Sequence, residues 1–435
     1  MKQPLNIFWF RRDLRLDDNI GFYKALTSEH PVLPVFIFDS EILDELPEDD
    51  SRVTFIYEAL QKMRKILQNE NESSLAMFHG KPIDVYKQLI EAYDIHTVFT
   101  NHDYEPYARE RDFEIKELLS DHNIEFKTFK DQVVFEQDEV VKKDGKPYMV
   151  YTPYMRVWKA LFRSQNLENY DTEPHFDNLI KNSDLPNLNL SDIGFIRSDQ
   201  KISEYTVTSA LIQDYEETRN YPAKDSTSRL GPHLRFGTVS VRKMVQKAII
   251  EDNEIFWQEL IWREFFMQIL WHFPHTAKDS FKSKYDRIEW RNNEDEFKLW
   301  CEGETGYPLV DAGMRELNET GFMHNRIRML VGSFLCKHLL IDWRWGEAYF
   351  AEKLHDYEMS SNIGNWQWVA GSGVDAAPYF RIFNPTSQIQ KFDKNHDYIK
   401  KWVPDYQELT YPHPMVDHKM ARERCLQTYK EAVNS

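Results

Sequence analysis

The chain has 435 residues, with 54 lysines and arginines against 71 aspartates and glutamates, which gives a formal net charge of −17. This length allows two or three domains, and the acidic balance excludes a protein that coats nucleic acid through charge alone. Glycine, at 15 residues, is scarce enough to disfavour propellers and β-solenoids. We therefore expect an ordered, helix-rich globular protein.

Cysteine spacing and apolar runs narrow the class further. Cys301, Cys336 and Cys425 are scattered and lack the close spacings of a zinc, iron–sulfur or disulfide site, so we expect no metal and a reducing compartment. The first apolar stretch is too short for a signal peptide and is followed by Arg11 and Arg12. No apolar run is long enough to span a membrane. The expectation is a monomeric, cytoplasmic protein.

Residues 1–130 alternate short apolar runs with amphipathic stretches, a pattern typical of a parallel sheet wrapped by helices. We therefore predict an α/β fold whose first domain is Rossmann-like. Helices are predicted over 52–67 and 82–93. The predicted strands are LNIFWF (5–10), VLPVFIF (32–38), LAMFHG (75–80), HTVFT (96–100) and IEFKTF (124–129).

The turn after the first run, RRDLRLDDN, has no glycine, so the dinucleotide fingerprint of a nicotinamide enzyme is missing. Residues Gly371 to Ala376 match this fingerprint loosely, but they follow a Trp-rich helical pattern and not the strand that the fingerprint requires. Residues 131–200 are polar and read as an interdomain connector. Helical periodicity dominates from 201 to 435, which we predict to be the second domain.

The helical half carries most of the tryptophans and several polar segments. Ten of the 12 tryptophans lie at or after Trp257. The segment STSRLGPHLRFG (226–237) offers hydroxyls and Arg229 before a helical stretch, which suits either a phosphate site or an ordinary capped helix. In GFMHNRIRMLVGSFL (321–335), Asn325, Arg328 and Met329 share one helix face.

A further segment, 354–385, adds Asp356, Asn362, Trp366 and Trp368. Polar side chains inside apolar helices must be satisfied by partners or by a ligand. A large cofactor with a polar edge would satisfy many of them at once.

Together these segments resemble the photolyase and cryptochrome flavoproteins, and most closely the class I cyclobutane pyrimidine dimer photolyases. The resemblance is carried by STSRL…LRFG, ELIWREFF, WCEGETGYPLVDAGMRELNETGFMHNRIRM and NWQW…DAAPYFRIFNP. It implies an N-terminal α/β domain, a connector and an all-helical domain that binds FAD. It also implies light-driven repair of DNA by electron transfer from photoexcited reduced FAD to a flipped-out dimer.

The resemblance also implies a set of cofactor contacts. Arg328 and Asp356 would form an ion pair beside the isoalloxazine, and Asn362 would face flavin N5, where an amide suits fully reduced flavin. The cofactor-binding residues it implies are Tyr215, Thr227, Ser228, Arg229, Leu230, Gly231, Asn325, Arg328, Asp356, Glu358 and Asn362. Those implied for electron transfer to the flavin are Trp366, Trp343 and Trp290.

Substrate residues follow in the same way. Glu259, Trp262 and Arg263 share one face of ELIWREFF. The resemblance implies that Glu259 bonds the base edge of the dimer and that Trp262 and Trp368 stack against it, with Met329 completing the pocket. Enzymes of the six-four photoproduct typically replace the equivalents of Trp262 and Met329, so the cyclobutane dimer is the favoured substrate.

DNA binding requires a local basic surface. Residues 219–247 hold seven lysines or arginines and one aspartate, whereas residues 39–50 hold seven acids and no base. A solvated helix face would explain the basic run equally well without the resemblance. With it, we expect Arg219, Arg242 and Lys243 to contact phosphates, alongside Glu259, Trp262 and Arg263 at the lesion.

Three questions stay open at this point. Family members often bind a second, light-harvesting chromophore, but Tyr107 and Ala108 stand where folate-binding relatives carry Asn and Glu. Folate is therefore doubtful, and a deazaflavin, a flavin or no antenna remain. The alternative functions are a cryptochrome-type blue-light photoreceptor and six-four photoproduct repair, and a flavin or nucleotide protein without photochemistry is a further rival.

Overall fold

The computed structural model describes residues 3–165 and 168–434. The chain divides into two compact units. The first comprises the residues up to Glu139 together with Val157–Glu204 and Leu230–Ile250. The second comprises Val140–Arg156, Tyr205–Arg229 and the chain from Glu251 onward. This division differs from the predicted boundaries at residues 130 and 200.

A five-stranded parallel sheet forms the centre of the first unit, with strand order β3-β2-β1-β4-β5. In the middle, Phe8 is in register with Pro34 on one side and Phe99 on the other. All five predicted strands are confirmed. They are β1 Pro4–Phe10, β2 Val32–Asp39, β3 Ala76–Gly80, β4 Asp94–Asn101 and β5 Glu125–Phe129. The central strands β1 and β2 are buried on both faces and read as near-continuous apolar runs, whereas the edge strand β5 is partly exposed and mixes apolar with polar residues.

Helices make up most of the rest of the described chain. The first ten are α1 Ile20–Leu26, α2 Ser40–Leu43, α3 Ser51–Asn71, α4 Pro82–Ala92, α5 Pro106–Asp121, α6 Tyr151–Ser164, α7 Ser209–Gln213, α8 Tyr215–Thr218, α9 Leu230–Arg235 and α10 Val241–Ile250. The others are α11 Glu254–His272, α12 Glu294–Glu302, α13 Pro308–Thr320, α14 Asn325–Ser333, α15 Trp343–Lys353, α16 Met359–Ala370, α17 Pro385–Phe392, α18 Asp397–Trp402 and α19 His418–Asn434. Short 3-10 helices occupy Glu173–Asn178, Leu190–Ile193, Pro274–Ala277 and Ser283–Arg287, and a π-helical segment occupies Phe334–Leu339. The predicted helices correspond to α3 and α4, whereas α6 lies within the predicted connector.

Buried ion pairs explain why α9 and α10 belong to the first unit. Both oxygens of Asp131 accept hydrogen bonds from Arg15, and Oδ1 also accepts one from Arg242 at 3.0 Å. Asp18 bonds Arg242 and Ser240 through Oδ2 and the backbone N–H of Tyr170 through Oδ1. Although burial alone would raise it, these arginines hold the pKa of Asp131 below its usual value.

A close approach of the backbone supports the same assignment. Gly237 has φ of +66°, and a Cβ there would lie 2.2 Å from the carbonyl oxygen of Arg12. Only glycine meets both conditions at low energy. The turn between α9 and α10 therefore packs tightly against the loop that follows β1.

The second unit has a large aromatic core. Trp300, Trp343, Trp366 and Phe334 are all buried in one cluster. The π-helical segment presents His338, whose Nε2 lies 2.8 Å from Nδ1 of His418 at the start of α19. No helix among the described residues is both long enough and apolar enough to cross a bilayer.

Candidate active site

One cleft in the second unit is lined by five of the eleven predicted cofactor-binding residues. The helices α14 and α16 supply most of its wall, as the i, i+3, i+4 spacing of α14 predicts. Its lining includes Asn325, Arg328, Met329, Asp356, Glu358, Asn362, Trp366 and Trp368.

Arg328 is fixed at the cleft by two hydrogen bonds. Its Nη2 donates to Oδ2 of Asp356 at 2.9 Å, and its Nε donates to the carbonyl oxygen of Met323 at 2.7 Å. The guanidiniums of Arg328 and Arg229 both lie over the ring of Phe322, 6.0 and 3.6 Å from its centroid. A rigid cation beside the cleft favours an anionic ligand.

Asn362 is oriented by a residue that the sequence reasoning missed. Its Nδ2 donates to the backbone carbonyl oxygen of Glu347 at 3.1 Å and to the Glu347 carboxylate at 3.0 Å. Burial raises the pKa of Glu347, partly offset by hydrogen bonds from Asn362 and Tyr357. Both amide hydrogens of Asn362 thus have partners in Glu347, which leaves Oδ1 as the acceptor available to a ligand.

Two buried polar atoms on the lining have no hydrogen-bond partner within residues 3–165 and 168–434: Oδ1 of Asp356 and Nε1 of Trp366. Buried polar groups in proteins are normally paired, so orphans at a cleft indicate a ligand with a polar edge. An acceptor, a donor, an amide oxygen and a fixed cation fit the heteroatom-rich edge of a flavin.

Comparison with known proteins agrees with this geometry. The chain matches the family of the FAD binding domain of DNA photolyase over residues 256–410 and the DNA photolyase family over residues 6–174. It is 36% identical to the deoxyribodipyrimidine photo-lyase of Agrobacterium fabrum, over 97% of each chain. The chain belongs to the DNA photolyase family. FAD is its cofactor, and the cleft lies in the FAD-binding domain.

Solved structures of the family share the fold. A class III photolyase from Agrobacterium tumefaciens has a TM-score of 0.88 and 33% sequence identity, covering 100% of this chain and 99% of its own. A cryptochrome from Synechocystis has a TM-score of 0.84 and 25% identity, covering 98% and 99%. Because a photolyase and a cryptochrome both fit, the photolyase fold alone does not separate repair from signalling.

The predicted pyrophosphate residues lie on both sides of the division between the units. Thr227, Ser228 and Arg229 belong to the second unit, and Arg229 adopts a left-handed φ of +56°. Leu230 and Gly231 open the short helix α9 in the first unit. Tyr215 packs edge-on against Phe256 in the second unit, with ring centroids 5.2 Å apart.

The predicted substrate residues of α11 form a polar and aromatic face. Glu259 accepts a hydrogen bond from Nη1 of Arg219 at 2.5 Å, and side-chain exposures are 35% and 21% respectively. Trp262 and Arg263 are half-buried on the same helix. The ion pair with Arg219 therefore compensates the charge of Glu259.

The three predicted electron-transfer tryptophans share the aromatic core of the second unit. Trp366 touches Phe350 and Trp300, at centroid distances of 5.0 and 6.2 Å. Trp343 is buried at the start of α15, and Trp290 packs on the edge of that core. A Cβ at Gly346 would lie 2.1 Å from Cη2 of Trp366, so glycine lets α15 lie directly against the indole.

One predicted DNA contact needs correction. Arg242 is 5% exposed and bound to Asp18 and Asp131, so its guanidinium is not available to a phosphate. The charge run in the sequence could not distinguish a buried ion pair from a basic surface. Lys243 is partly exposed and pairs with Asp17.

A different set of arginines supplies positive charge near the cleft. Nη2 of Arg326 donates to Oδ1 of Asn220 at 2.5 Å, and its Nη1 lies 3.7 Å from Sδ of Met329. Desolvation, with help from Arg219 and Arg381, lowers the pKa of Arg326. The sequence reasoning missed Arg326 and Arg381. Arg326 directly follows the predicted site residue Asn325 in NRIRM, which was the available signal, whereas Arg381 lies in PYFRIF, which holds no predicted site residue.

The pKa of the buried His324 reflects the positive charge of the surrounding arginines. Burial, together with repulsion from Arg328, Arg326, Arg229 and Arg219, lowers this pKa to about 4. Both causes favour the neutral imidazole at physiological pH. Positive charge is therefore concentrated on one part of a chain whose overall charge is −17.

The predicted antenna positions lie at the start of α5. The Tyr107 hydroxyl donates to Oδ2 of Asp39 at 2.7 Å, and Arg111 lies 3.5 Å from the same carboxylate oxygen. Ala108 is buried. A polar cluster thus occupies the carboxyl end of β2, beside the first turn of α5.

Proposed function

We propose that this protein is a light-driven DNA repair lyase that splits cyclobutane pyrimidine dimers. The supporting observation is the composition of the single cleft described above. Flavin-directed groups, Arg328, Asp356 and Asn362, line it together with Met329 and Trp368, to which the family resemblance assigns the lesion. Cofactor and substrate groups in one cleft suit direct electron transfer between their occupants.

When bound, reduced FAD supplies the photoexcited electron donor, and the protein supplies geometry and electrostatics. Glu347 holds the amide of Asn362 with Oδ1 available as an acceptor. An acceptor suits a flavin that carries a proton at N5, as the fully reduced form does. Arg328, locked by Asp356 and the Met323 carbonyl, supplies positive charge for the anion.

The lesion must leave the duplex to reach such a cleft, and photolyases are themselves recognised base-flipping enzymes. Trp262 and Trp368 offer aromatic faces to the extruded bases. Glu259, held by Arg219, offers a hydrogen-bond acceptor to a base edge. The retained Trp262 and Met329 favour the cyclobutane dimer over the six-four photoproduct.

Arg326 and Arg381 are the proposed phosphate contacts, since Arg219 is committed to Glu259. If each neutralises one phosphate, the logarithm of the affinity should fall against the logarithm of salt concentration with a slope of about −2. Arg326→Ala should reduce that slope by about 1. A slope unchanged in the variant would remove Arg326 from the interface.

The proposal is tested with purified protein whose flavin has been chemically reduced. An oligonucleotide with one cyclobutane dimer, a second with one six-four photoproduct and an undamaged control are each illuminated with blue light or kept dark. We expect restoration of the cyclobutane dimer only, and only in light. Restoration of the six-four photoproduct instead would contradict the proposed substrate and make the six-four photoproduct the substrate.

The cryptochrome alternative predicts a different outcome. With bound reduced FAD confirmed by absorbance, no restoration of either lesion under light would contradict the repair function and favour a photoreceptor. Flavin content measured on the same sample separates an inactive enzyme from one that lost its cofactor.

A further inference from the structure

The indole of Trp262 does not stand alone on α11. The ring of Tyr151 lies parallel to it, with centroids 3.6 Å apart and 7° between the planes. Tyr151 precedes Trp262 by more than 100 residues, and nothing in its sequence position indicated the contact. Both residues belong to the second unit.

Tyr151 is held in place independently of Trp262. Its hydroxyl donates to the carbonyl oxygen of Gln258, one turn earlier on α11, at 2.8 Å. Its backbone N–H donates to Oδ2 of Asp375 at 3.1 Å. The side chain is 6% exposed, so it has no room to swing away.

Further rings fix the orientation of the pair. Phe265 meets Tyr151 and Trp262 edge-on, at 5.8 and 5.6 Å between centroids. Phe266 lies 5.6 Å from Trp262 on the same helix. Trp262 is nevertheless only half-buried. Tyr151 thus covers one face of the indole. A ligand can contact only the part of Trp262 that remains accessible.

The phenol is unsuited to proton transfer. Burial, with a smaller contribution from Glu259, raises the pKa of Tyr151 far above its usual value. The hydroxyl is already committed to Gln258. Its function must therefore come from the ring.

We propose that Tyr151 is a positioning and specificity residue that makes Trp262 a one-sided stacking platform for a single extruded base. This inference rests on the proposed function, since it takes Trp262 to stack on the lesion. A fixed indole plane spares the ordering free energy that a mobile side chain would lose on binding. A covered rear face leaves one face of the indole for stacking.

The test uses dark binding, which is independent of photochemistry. Dissociation constants for dimer-containing and undamaged duplexes are measured with the flavin-loaded protein and with Tyr151→Phe and Tyr151→Leu. A base stacked on an aromatic side chain contributes about 1–3 kcal/mol, so losing the platform should reduce the preference for damaged DNA about 5- to 150-fold. We expect that loss for Tyr151→Leu, no more than about a threefold change for Tyr151→Phe, which keeps the ring, and unchanged binding of undamaged DNA.

The matched control is Tyr154→Leu. Tyr154 lies on the same helix, is equally buried and packs on Phe265 at 5.2 Å, but its ring is not stacked on Trp262. It should lose similar packing and keep the preference for damaged DNA. If Tyr151→Leu does not fold, the same measurement is made on Tyr151→Met, whose flexible side chain fills the space of the lost ring.

The outcomes separate the two proposals. A wild-type protein without any preference for dimer-containing DNA contradicts the proposed function. A wild-type preference that persists in Tyr151→Leu or Tyr151→Met overturns only the role of Tyr151. An equal loss in Tyr154→Leu also overturns it, because general packing would then explain the effect.

Discussion

Carboxylates paired with arginines occur in two regions of this molecule and are treated differently: Asp18 and Asp131 are buried, whereas the side chain of Asp356 is 17% exposed. In the first unit, both oxygens of Asp18 and of Asp131 accept hydrogen bonds from within that unit. In the second unit, Asp356 bonds Arg328 through Oδ2 and leaves Oδ1 without a partner in the described chain. The fully paired carboxylates of the first unit form a closed set that stabilises the fold, whereas the carboxylate left open at the cleft is available to a ligand. The two regions should therefore respond differently to substitution.

The largest effect is expected where the closed set is broken. Arg242→Met leaves Asp18 and Asp131 buried with part of their compensation gone. Loss of one partner of a buried ion pair typically costs about 3–5 kcal/mol of unfolding free energy. Denaturant unfolding of the flavin-loaded protein measures it, and the folded fraction should keep its full flavin content.

Lys243→Met is the matched control. Its partner Asp17 is 66% exposed, and the lysine itself is 42% exposed. Exposed pairs contribute about 0–1 kcal/mol. Equal destabilisation in both variants would show that the closed set has no special importance.

The next effect concerns the open set. Arg328→Ala removes the fixed cation at the cleft and leaves Asp356 unpaired. Hydrogen bonds to charged groups contribute about 1.5–3 kcal/mol, so flavin affinity should fall about 10- to 100-fold. Flavin retained after gel filtration, followed by titration of the apoprotein with FAD, gives the ratio.

Arg315→Ala serves as the control for that experiment. Arg315 also pairs with an aspartate, Asp405, at 3.0 Å, but both are partly exposed and do not line the cleft. It should retain flavin as the wild type does. If the two variants lose flavin alike, the distinction between open and closed sets fails for the second unit.

A smaller effect is expected for His338, a buried imidazole that stays neutral in the folded protein. Burial lowers the pKa of His338 to about 3, assisted by His418, Arg424 and Lys337. Below pH 6.5 the unfolded chain takes up a proton at this residue and the folded chain does not, so stability falls as pH falls. From pH 7.5 to pH 5 the expected loss is about 2 kcal/mol, since one pKa unit corresponds to 1.36 kcal/mol.

Denaturant unfolding at both pH values measures this loss. In His338→Phe, which keeps a ring against Phe334, the difference between pH 7.5 and pH 5 should shrink by that amount. Other buried histidines such as His324 will retain their own contribution. An unchanged pH dependence would mean that His338 is protonated in the folded protein.

The sequence predicts those parts of the fold that depend on local pattern. The central strands β1 and β2 follow from continuous apolar runs, because they are buried on both faces, and the partly exposed β5 follows from its alternation of apolar and polar residues. The cleft face of α14 follows from spacing alone: Asn325, Arg328 and Met329 recur at helical intervals and line one cavity. The identity of the ligand, FAD, followed only from the resemblance to the photolyase and cryptochrome family.

Long-range pairing explains what the sequence does not reveal. Arg242 lies in a basic run, yet its partners are Asp18 and Asp131, more than 100 residues away. Tyr151 reaches Trp262 across a comparable separation. Glu347 precedes Asn362 by 15 residues and is recognisable only once α15 and α16 are packed. In each case the decisive contact is made by tertiary folding, which a charge count or a periodicity does not encode.

Gly346 has a consequence for engineering this protein. Replacing a helical glycine with alanine is a standard route to greater thermostability, with a gain of about 1 kcal/mol in helix propensity. In α15 the added methyl group would occupy the space of Trp366, whose indole borders the cofactor cleft. A design procedure that follows helix propensity would choose Gly346→Ala, and the added methyl group would displace the Trp366 ring that lines the cleft. Residue 346 should therefore remain glycine in such designs.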